Sequence, residues 1–482
     1  MNAMTKIAAD TAIDDTIFEE LTDSYKVTQW KQLPPRTQKC HSYFESRGGL
    51  FDSTVFFGAQ YYVHKYLAGR VVTNESMEEA REDMALHFGD DSLFNQEGWD
   101  YLLNKHGGQL PVILKTVPEG TVVPTKNALM TLENTDPDPR ANWLNQHLET
   151  LLSMVWYPMT VATQSREMKK ILLEYLIKNG TPELIHFKLH DFGFRGSTSV
   201  ESAGIGGMAH LVNFKGSDTL QANRYARKYY CERMASNSIP AAEHSTITSW
   251  GRQFEGDALE NLLNQFPTGM VSGISDSYNV YNACANIWGT RLKEKILMRK
   301  GVLVVRPDSG NPPEVVVKVL DILGEKFGYT VNAKGYKVLP DQIRIIQGDG
   351  IDLNMLLLVL EAMDAAGWSA DNIAFGSGGG LLQKVNRDTQ KCAIKLSAIL
   401  VGGEWRDVYK DPITDHGKKS KVGRLALVHA DGTFMTVREE EAVRAGKPNL
   451  LIPRLENYEP KNDQTFADIR DLAELPELRL AA

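Results

Sequence analysis

The 482-residue sequence has little cysteine: Cys40, Cys231, Cys284 and Cys392 are its four. Four is too few for a disulfide scaffold, and their wide separation leaves no Cys-x-x-Cys pair for zinc or redox work. The expectation is a reducing, cytoplasmic compartment. Long apolar runs are also missing. The best candidates, Met355–Leu360 and Ile394–Gly402, are short or broken by charge, well below the ~18 residues of a membrane helix. An excess of positive charge is absent too, with 53 Lys and Arg against 61 Asp and Glu and a net charge of −8. This argues against a protein whose main task is neutralising a nucleic-acid backbone. The opening MNAMTKIAADTAIDD turns acidic early and shows no basic-then-apolar pattern, so no secretory signal is expected. Heptads, repeats and low-complexity tracts are absent as well.

What is present is an ordinary globular balance, 42% hydrophobic and 24% charged, on a chain long enough for two to four domains. The first third mixes short β-like stretches (His41–Glu45, Val112–Val117, Ala128–Leu132) with helical ones, including the aromatic-rich Gly58–Tyr66. After the DPDP turn, Arg140–Tyr157 reads as a helix with Trp143, Leu144, Leu148, Leu151 and Leu152 on one face, closed by Pro158.

From Ile185 the theme becomes a short apolar strand, a polar or glycine-rich turn, then a helix. Ile185–Leu189, Ile239–Ala242, Met270–Ile274, Val302–Val305 and Ile343–Ile346 are five such strands, and Ile373–Phe375 adds a sixth turn. Asn311 with Pro312, and Asp352, stand where helix starts belong, and Gly367 where a helix ends. Alternating strands and helices predict an α/β architecture with a β/α barrel-like domain, an open doubly wound sheet being the alternative. Either way ligands bind beyond the carboxyl ends of the strands. After Leu396 the chain turns β-rich again. The expected organisation is residues 1–180 and 393–482 forming a discontinuous β-rich α+β domain around a catalytic domain at 181–392.

The polar turns carry the candidate chemistry. GSGGG, Gly376 to Gly380, offers main-chain N–H groups to a phosphate, and QGDGID, with Gly348, Asp349 and Gly350, offers a second such turn. A tight turn is the bland alternative for each; two on neighbouring strands make a cradle. Arg306 and Arg387 supply guanidinium forks for the same phosphate, although Arg387 taken alone reads as a solvated helix face beside Asp388. AGIGGMA fits a dinucleotide spelling without a preceding strand and is discounted. His244 stands at a strand end as a candidate acid, base or phosphoryl acceptor, with Asp276 to orient it and Asp308 on the same rim. These acids also suit magnesium held largely through substrate phosphates, its protein ligands being unknown at this level. His186 and His190 read as lying on a strand, which excludes a helical zinc pair.

HDFGFRG, NFKGSD, PAAEHSTITSWG, SDSYNVYNAC, VVRPDSGNPPEVV, IQGDGID, AFGSGGGLLQK and KDPITD, with the early TDSYKVT, follow in order along the chain. In these segments, from about Leu21 to near the end, the sequence closely resembles the nicotinamide phosphoribosyltransferase family. The resemblance implies condensation of nicotinamide with phosphoribosyl pyrophosphate to nicotinamide mononucleotide and pyrophosphate, in NAD salvage. It also implies a homodimer with shared sites, Mg2+, and ATP as a coupled co-substrate that phosphorylates His244. It places the pyridine between Phe192 and Tyr25 of the partner subunit, near Arg195, with Asp218 accepting from the carboxamide. Aromatic faces suit a ring that becomes cationic, and a carboxylate at that place disfavours nicotinate. For Asp218 the residues alone suggest a loop N-cap. Arg306, Asp308, Gly348, Asp349, Gly378, Gly379 and Arg387 would hold phosphate and ribose, Asp276 and Asp308 would flank His244, and Lys395, Lys410 and Lys418 would serve the pyrophosphate and ATP side.

After Arg47 the segment GGLFDST is much shorter than the charged loop of vertebrate members, which points to a bacterial-type member. The rival readings are a nicotinate phosphoribosyltransferase, opposed by Asp218, and a catalytically silent phosphoribosyl or nucleotide binder. A Schiff-base barrel enzyme would need a strand-end lysine, and none of these turns has one.

Overall fold

The computed structural model describes residues 16–414 and 419–479. The chain forms two compact units, Met1–Trp156 with Arg387–Gln464, and Tyr157–Asn386 with Thr465–Ala482.

The first unit is built on a seven-stranded sheet in the order Glu404–Asp407, Cys392–Val401, Thr37–Ser46, Ala128–Asn134, Val112–Thr116, Ile452–Glu456 and Glu459–Pro460. Every pairing in it is antiparallel. Of the three β-like stretches of the first third, His41–Glu45 and Ala128–Leu132 fall within its strands and Val112–Val117 runs one residue past the strand Val112–Thr116, and the returning segment supplies four more. The predicted apolar face of the Arg140–Tyr157 region forms the helix Leu144–Ser153, with Leu144, Leu148, Leu151 and Leu152 buried. Pro158 does not close it. It sits in the first turn of a separate helix, Trp156–Asn179, where the missing N–H costs nothing because first-turn donors have no intrahelical acceptor. Gly58–Tyr66 is helical as expected, over Ala59–Tyr62 and Val63–Leu67.

The second unit has six parallel strands in the order Gly216–Ser217, Leu189–Asp191, Ile373–Ser377, Ile343–Gln347, Lys300–Arg306 and Thr268–Ile274. The two edges are joined by single parallel bridges, Gly216 to Asn237 and Ala241 to Ser272, so the wall curves into a barrel. Ile239–Ala242, expected as a strand, supplies only that bridge: Pro240 has no N–H to donate, and a ladder cannot run through it. Ile185–Leu189 also differs. Pro182 starts a helical turn, Pro182–Phe187, so His186 lies in that turn and only His190 is on the strand Leu189–Asp191.

Helices follow the strands as the turns predict. Asp352 caps Leu353–Ala365 by accepting from Met355 N–H at 3.0 Å, and Gly367, at φ +75°, ends it. Asn311 precedes Pro312–Phe327, though its side chain makes no capping bond. AGIGGMA lies inside the helix Val200–His210, where its glycines admit neighbouring side chains: a Cβ on Gly206 would stand 2.3 Å from the Tyr157 hydroxyl. Its role is packing, not phosphate binding. Among the described residues no helix is long and apolar enough to cross a membrane.

Candidate active site

At the carboxyl end of the parallel sheet, the strands Ile343–Gln347 and Ile373–Ser377 run into the two glycine turns. The turns touch. Ser377 Oγ donates to Ile351 carbonyl at 2.6 Å, and a Cβ on Gly380 would lie 2.3 Å from that same oxygen, so only glycine permits the approach. Phe192 closes the group. Its N–H donates to Ser377 carbonyl at 3.0 Å, and its ring lies so close over Gly376 that a Cβ there would be 1.9 Å away. The Arg306 guanidinium carbon stands 5.5 Å from the centre of that ring, within cation-π range. The fork of Arg306 is held by Asp308 through Nε to Oδ1 (3.1 Å) and Nη2 to Oδ1 and Oδ2 (2.9 and 3.0 Å). Phe192, Arg306, Asp308, Gly348 and Gly376 thus form one cluster, with Gly378 and Gly379 continuing its rim; Gly379 opens the helix Gly379–Leu382. Asp349, beside them, is exposed.

His244 begins the short helix His244–Thr248. Its Nε2 donates to Asp276 Oδ1 at 2.9 Å, which leaves the lone pair on Nδ1. The histidine side chain is 47% exposed and the carboxylate only 5%, so an accessible imidazole is oriented by a buried acid. Ser309 Oγ donates to the other oxygen, Asp276 Oδ2, at 2.6 Å. Ser309 was missed in the sequence, although its place in RPDSG next to Asp308 was a usable signal.

Asp218 lies in the loop after Gly216–Ser217 and is exposed. It caps no helix: the residue before Leu220–Tyr230 is Thr219. Its Oδ1 accepts from Ser238 Oγ, and its N–H donates to Asp191 carbonyl at 3.0 Å, tying it to the strand that carries Phe192. Ser238 had no sequence signal. Arg195 is exposed in the turn Phe194–Gly196.

The remaining candidates belong to the other unit. Arg387 was expected one turn into the helix after GSGGG, but that helix is four residues long. It ends at Leu382, and the Gln383 side chain after it donates to Ser197 Oγ at 2.9 Å. Arg387 instead lies in the turn before Cys392–Val401, largely exposed, 3.8 Å from Asp388. Tyr25 is 59% exposed, on the helical turn Ser24–Lys31. Lys395 pairs with Tyr43 across the sheet. Burial lowers its pKa, Glu149 opposes that, and Arg47, Lys410 and Lys26 reinforce it. Four cations outnumber Glu149, which pairs with Lys26 at 2.8 Å, and so favour an anion; Arg47, and Lys26 within TDSYKVT, are members that no candidate set named. Lys410 is exposed, its N–H donating to Ser420 Oγ at 3.0 Å. Lys418 lies outside the described residues.

Comparison with known proteins bears on this geometry. Residues 187–454 match the model of the nicotinate phosphoribosyltransferase (NAPRTase) family, and residues 18–114 match the nicotinamide phosphoribosyltransferase N-terminal domain. The chain is 50% identical to a nicotinamide phosphoribosyltransferase of Xanthomonas campestris, over 95% of this chain and 98% of the relative. It is 30% identical to one of Acinetobacter baylyi, over 93% and 95%. Two solved structures share the fold: a nicotinate-nucleotide pyrophosphorylase of Pyrococcus furiosus (TM-score 0.58, 16% identity, 96% and 95% coverage), and human nicotinic acid phosphoribosyltransferase (0.54, 17%, 95% and 93%).

Proposed function

The chain belongs to the nicotinate phosphoribosyltransferase family, and from that premise we propose that it condenses nicotinamide with phosphoribosyl pyrophosphate to nicotinamide mononucleotide and pyrophosphate, a pentosyl transfer of NAD salvage. The observation that carries the choice of amide over acid is Asp218: an exposed carboxylate, hydrogen-bonded to Ser238, on the strand end next to the one bearing Phe192. It offers an acceptor to a carboxamide and repels a carboxylate.

In this reading the two glycine turns and Arg306 anchor the 5′-phosphate remote from the reacting bond, and that binding energy aligns the anomeric carbon with the pyridine nitrogen. Phe192 offers a face to a ring that gains positive charge. His244, held by Asp276, accepts a phosphoryl group from ATP on Nδ1 and couples ATP hydrolysis to synthesis. Tyr25, Arg195, Arg387, Lys395, Lys410 and Lys418 keep the roles that the family resemblance implies, Tyr25 across a homodimer, in a cytoplasmic enzyme. Among the described residues no group of three or more His, Cys, Asp or Glu is arranged to hold a metal. Asp308 and Asp349 are the carboxylates that would share a magnesium ion with substrate phosphates, and its charge would stabilise the departing pyrophosphate.

The test is to incubate the protein with phosphoribosyl pyrophosphate and magnesium, with nicotinamide or nicotinate, each with and without ATP, and quantify mononucleotides by chromatography. Nicotinamide mononucleotide, increased by ATP in the wild type and not in His244→Asn, is the expected result. Product from nicotinate alone would make the chain a nicotinate enzyme, and binding without product a silent binder.

A further inference from the structure

Asp191, within HDFGFRG, is fully buried at the end of the strand Leu189–Asp191, flanked by Ser217 on one neighbouring strand and Ser377 on the other. Its side chain points away from the rim, toward the helix Val200–His210: a Cβ on Gly207 would stand 2.8 Å from Oδ2, so that helix leaves room for the carboxylate. A buried acid with no mechanistic task normally gives way to an apolar residue, because its desolvation is costly. Burial here pushes Asp191 above the usual carboxylate range, and polar neighbours, Thr219 first, then Gly193 and Ser217, oppose that.

The hydrogen bonds from Gly193 and Ser217 bracket two residues of the pyridine slot. Gly193 N–H donates to Oδ1 at 2.7 Å, closing an Asx turn around Phe192. Ser217 Oγ donates to Oδ2 at 3.2 Å and itself accepts from Thr219 N–H at 2.9 Å. Asp218 lies between these two, its own N–H on Asp191 carbonyl. One carboxylate therefore holds the residue after Phe192 and, through Ser217, both neighbours of Asp218.

We propose that Asp191 is a positioning residue that sets the Phe192 ring and the Asp218 carboxylate at a fixed separation, so that the slot's stacking face and its amide acceptor are built as one piece. This rests on the nicotinamide reading for its functional consequence, but not for its structural content. An asparagine at 191 keeps the arrangement, with Oδ1 accepting from Gly193 and Nδ2 donating to Ser217; an alanine removes it.

The test compares wild type, Asp191→Ala, Asp191→Asn and Ser217→Ala by hydrogen–deuterium exchange and by kinetics. Asp191→Ala is expected to speed exchange in peptides covering 192–197 and 217–221 and to raise KM for nicotinamide roughly tenfold with a smaller change in kcat. Asp191→Asn should restore both readouts to near wild type. Ser217→Ala should speed exchange only in 217–221. If Asp191→Ala fails to fold, the exchange pattern of the Asn and Ser217 variants decides. Wild-type exchange in the Ala variant, or equal defects in Ala and Asn, would overturn the proposal. A wild type that makes no mononucleotide would refute the nicotinamide reading instead, and the exchange contrast would still decide the role of Asp191.

Discussion

At the ends of the parallel strands the molecule is shaped by contacts against main chain, whereas on the antiparallel sheet it is shaped by charged side chains facing one another. In the barrel unit, Phe192 rests on Gly376 and Gly380 rests on Ile351 carbonyl. In the other unit, Glu133 lies between His41 (3.2 Å), Lys39 (3.2 Å) and Arg424 (3.2 Å), and Glu45 meets Lys421. The first arrangement tolerates no added volume, the second no lost charge. Parallel strand ends present main-chain groups to a ligand, while antiparallel neighbours bring opposed side chains within about 5 Å, close enough to pair.

The contrast is broken most directly at Gly376. Gly376→Ala places a methyl inside the Phe192 ring position, so the ring must move by more than an ångström. We expect kcat/KM for nicotinamide to fall about 100-fold or more and stability to drop by about 3 kcal/mol, read by steady-state kinetics and urea denaturation. Next is Arg306→Ala, which removes the cation that Asp308 holds beside the Phe192 ring. KM for phosphoribosyl pyrophosphate should rise about 10- to 100-fold, the worth of a charged hydrogen bond, with kcat and Tm little changed; an unaltered KM would remove Arg306 from the phosphate site.

In the antiparallel unit, Glu133→Gln should cost about 2–3 kcal/mol, below the full value for a buried pair because Lys39 and Arg424 are partly exposed. The same network predicts a pH dependence. Burial alone would push Glu133 up, but His41, Arg424 and Lys39 outweigh it and hold the carboxyl at about 2. A depressed acid stabilises the fold fully above its unfolded value and loses that contribution as pH falls through the folded one. Thermal scans between pH 5 and 2 should therefore show wild type losing its advantage over Glu133→Gln, and a constant difference would contradict the network. The smallest effect is expected at Gly379. It is helical, and a Cβ there meets only Gln383 at 3.6 Å, so Gly379→Ala should be neutral or stabilising by up to about 1 kcal/mol.

Much of the barrel wall was legible because period, turn residues and caps agree locally: Thr268–Ile274, Lys300–Arg306, Ile343–Gln347 and Ile373–Ser377 each enclose a stretch read from apolar runs. Proline misled in opposite ways. Pro158 looked like a stop and is a start, Pro182 turns a supposed strand into a helical turn, and Pro240 reduces another to a bridge. Within the site, glycine turns and strand-end acids announce themselves because few other residues serve there. Ser238, Asp191, Lys26 and Arg47 do not, since a hydroxyl or charge gains meaning only from the group opposite it. Arg387 shows the converse: its distance in sequence from GSGGG suggested a shared helix that ends at Leu382.

By itself the sequence determined the family, four strands of the barrel wall with their turns, and the residue types at the strand ends, because each is written in local pattern and composition. Only the tertiary structure decided that Phe192 lies on Gly376, that Asp276 is shared by His244 and Ser309, and that Asp191 ties the Phe192 turn to the Asp218 loop. Those are contacts between strand ends neighbouring in space and distant along the chain. Sequence spacing carries no information about them until the sheet has been assembled.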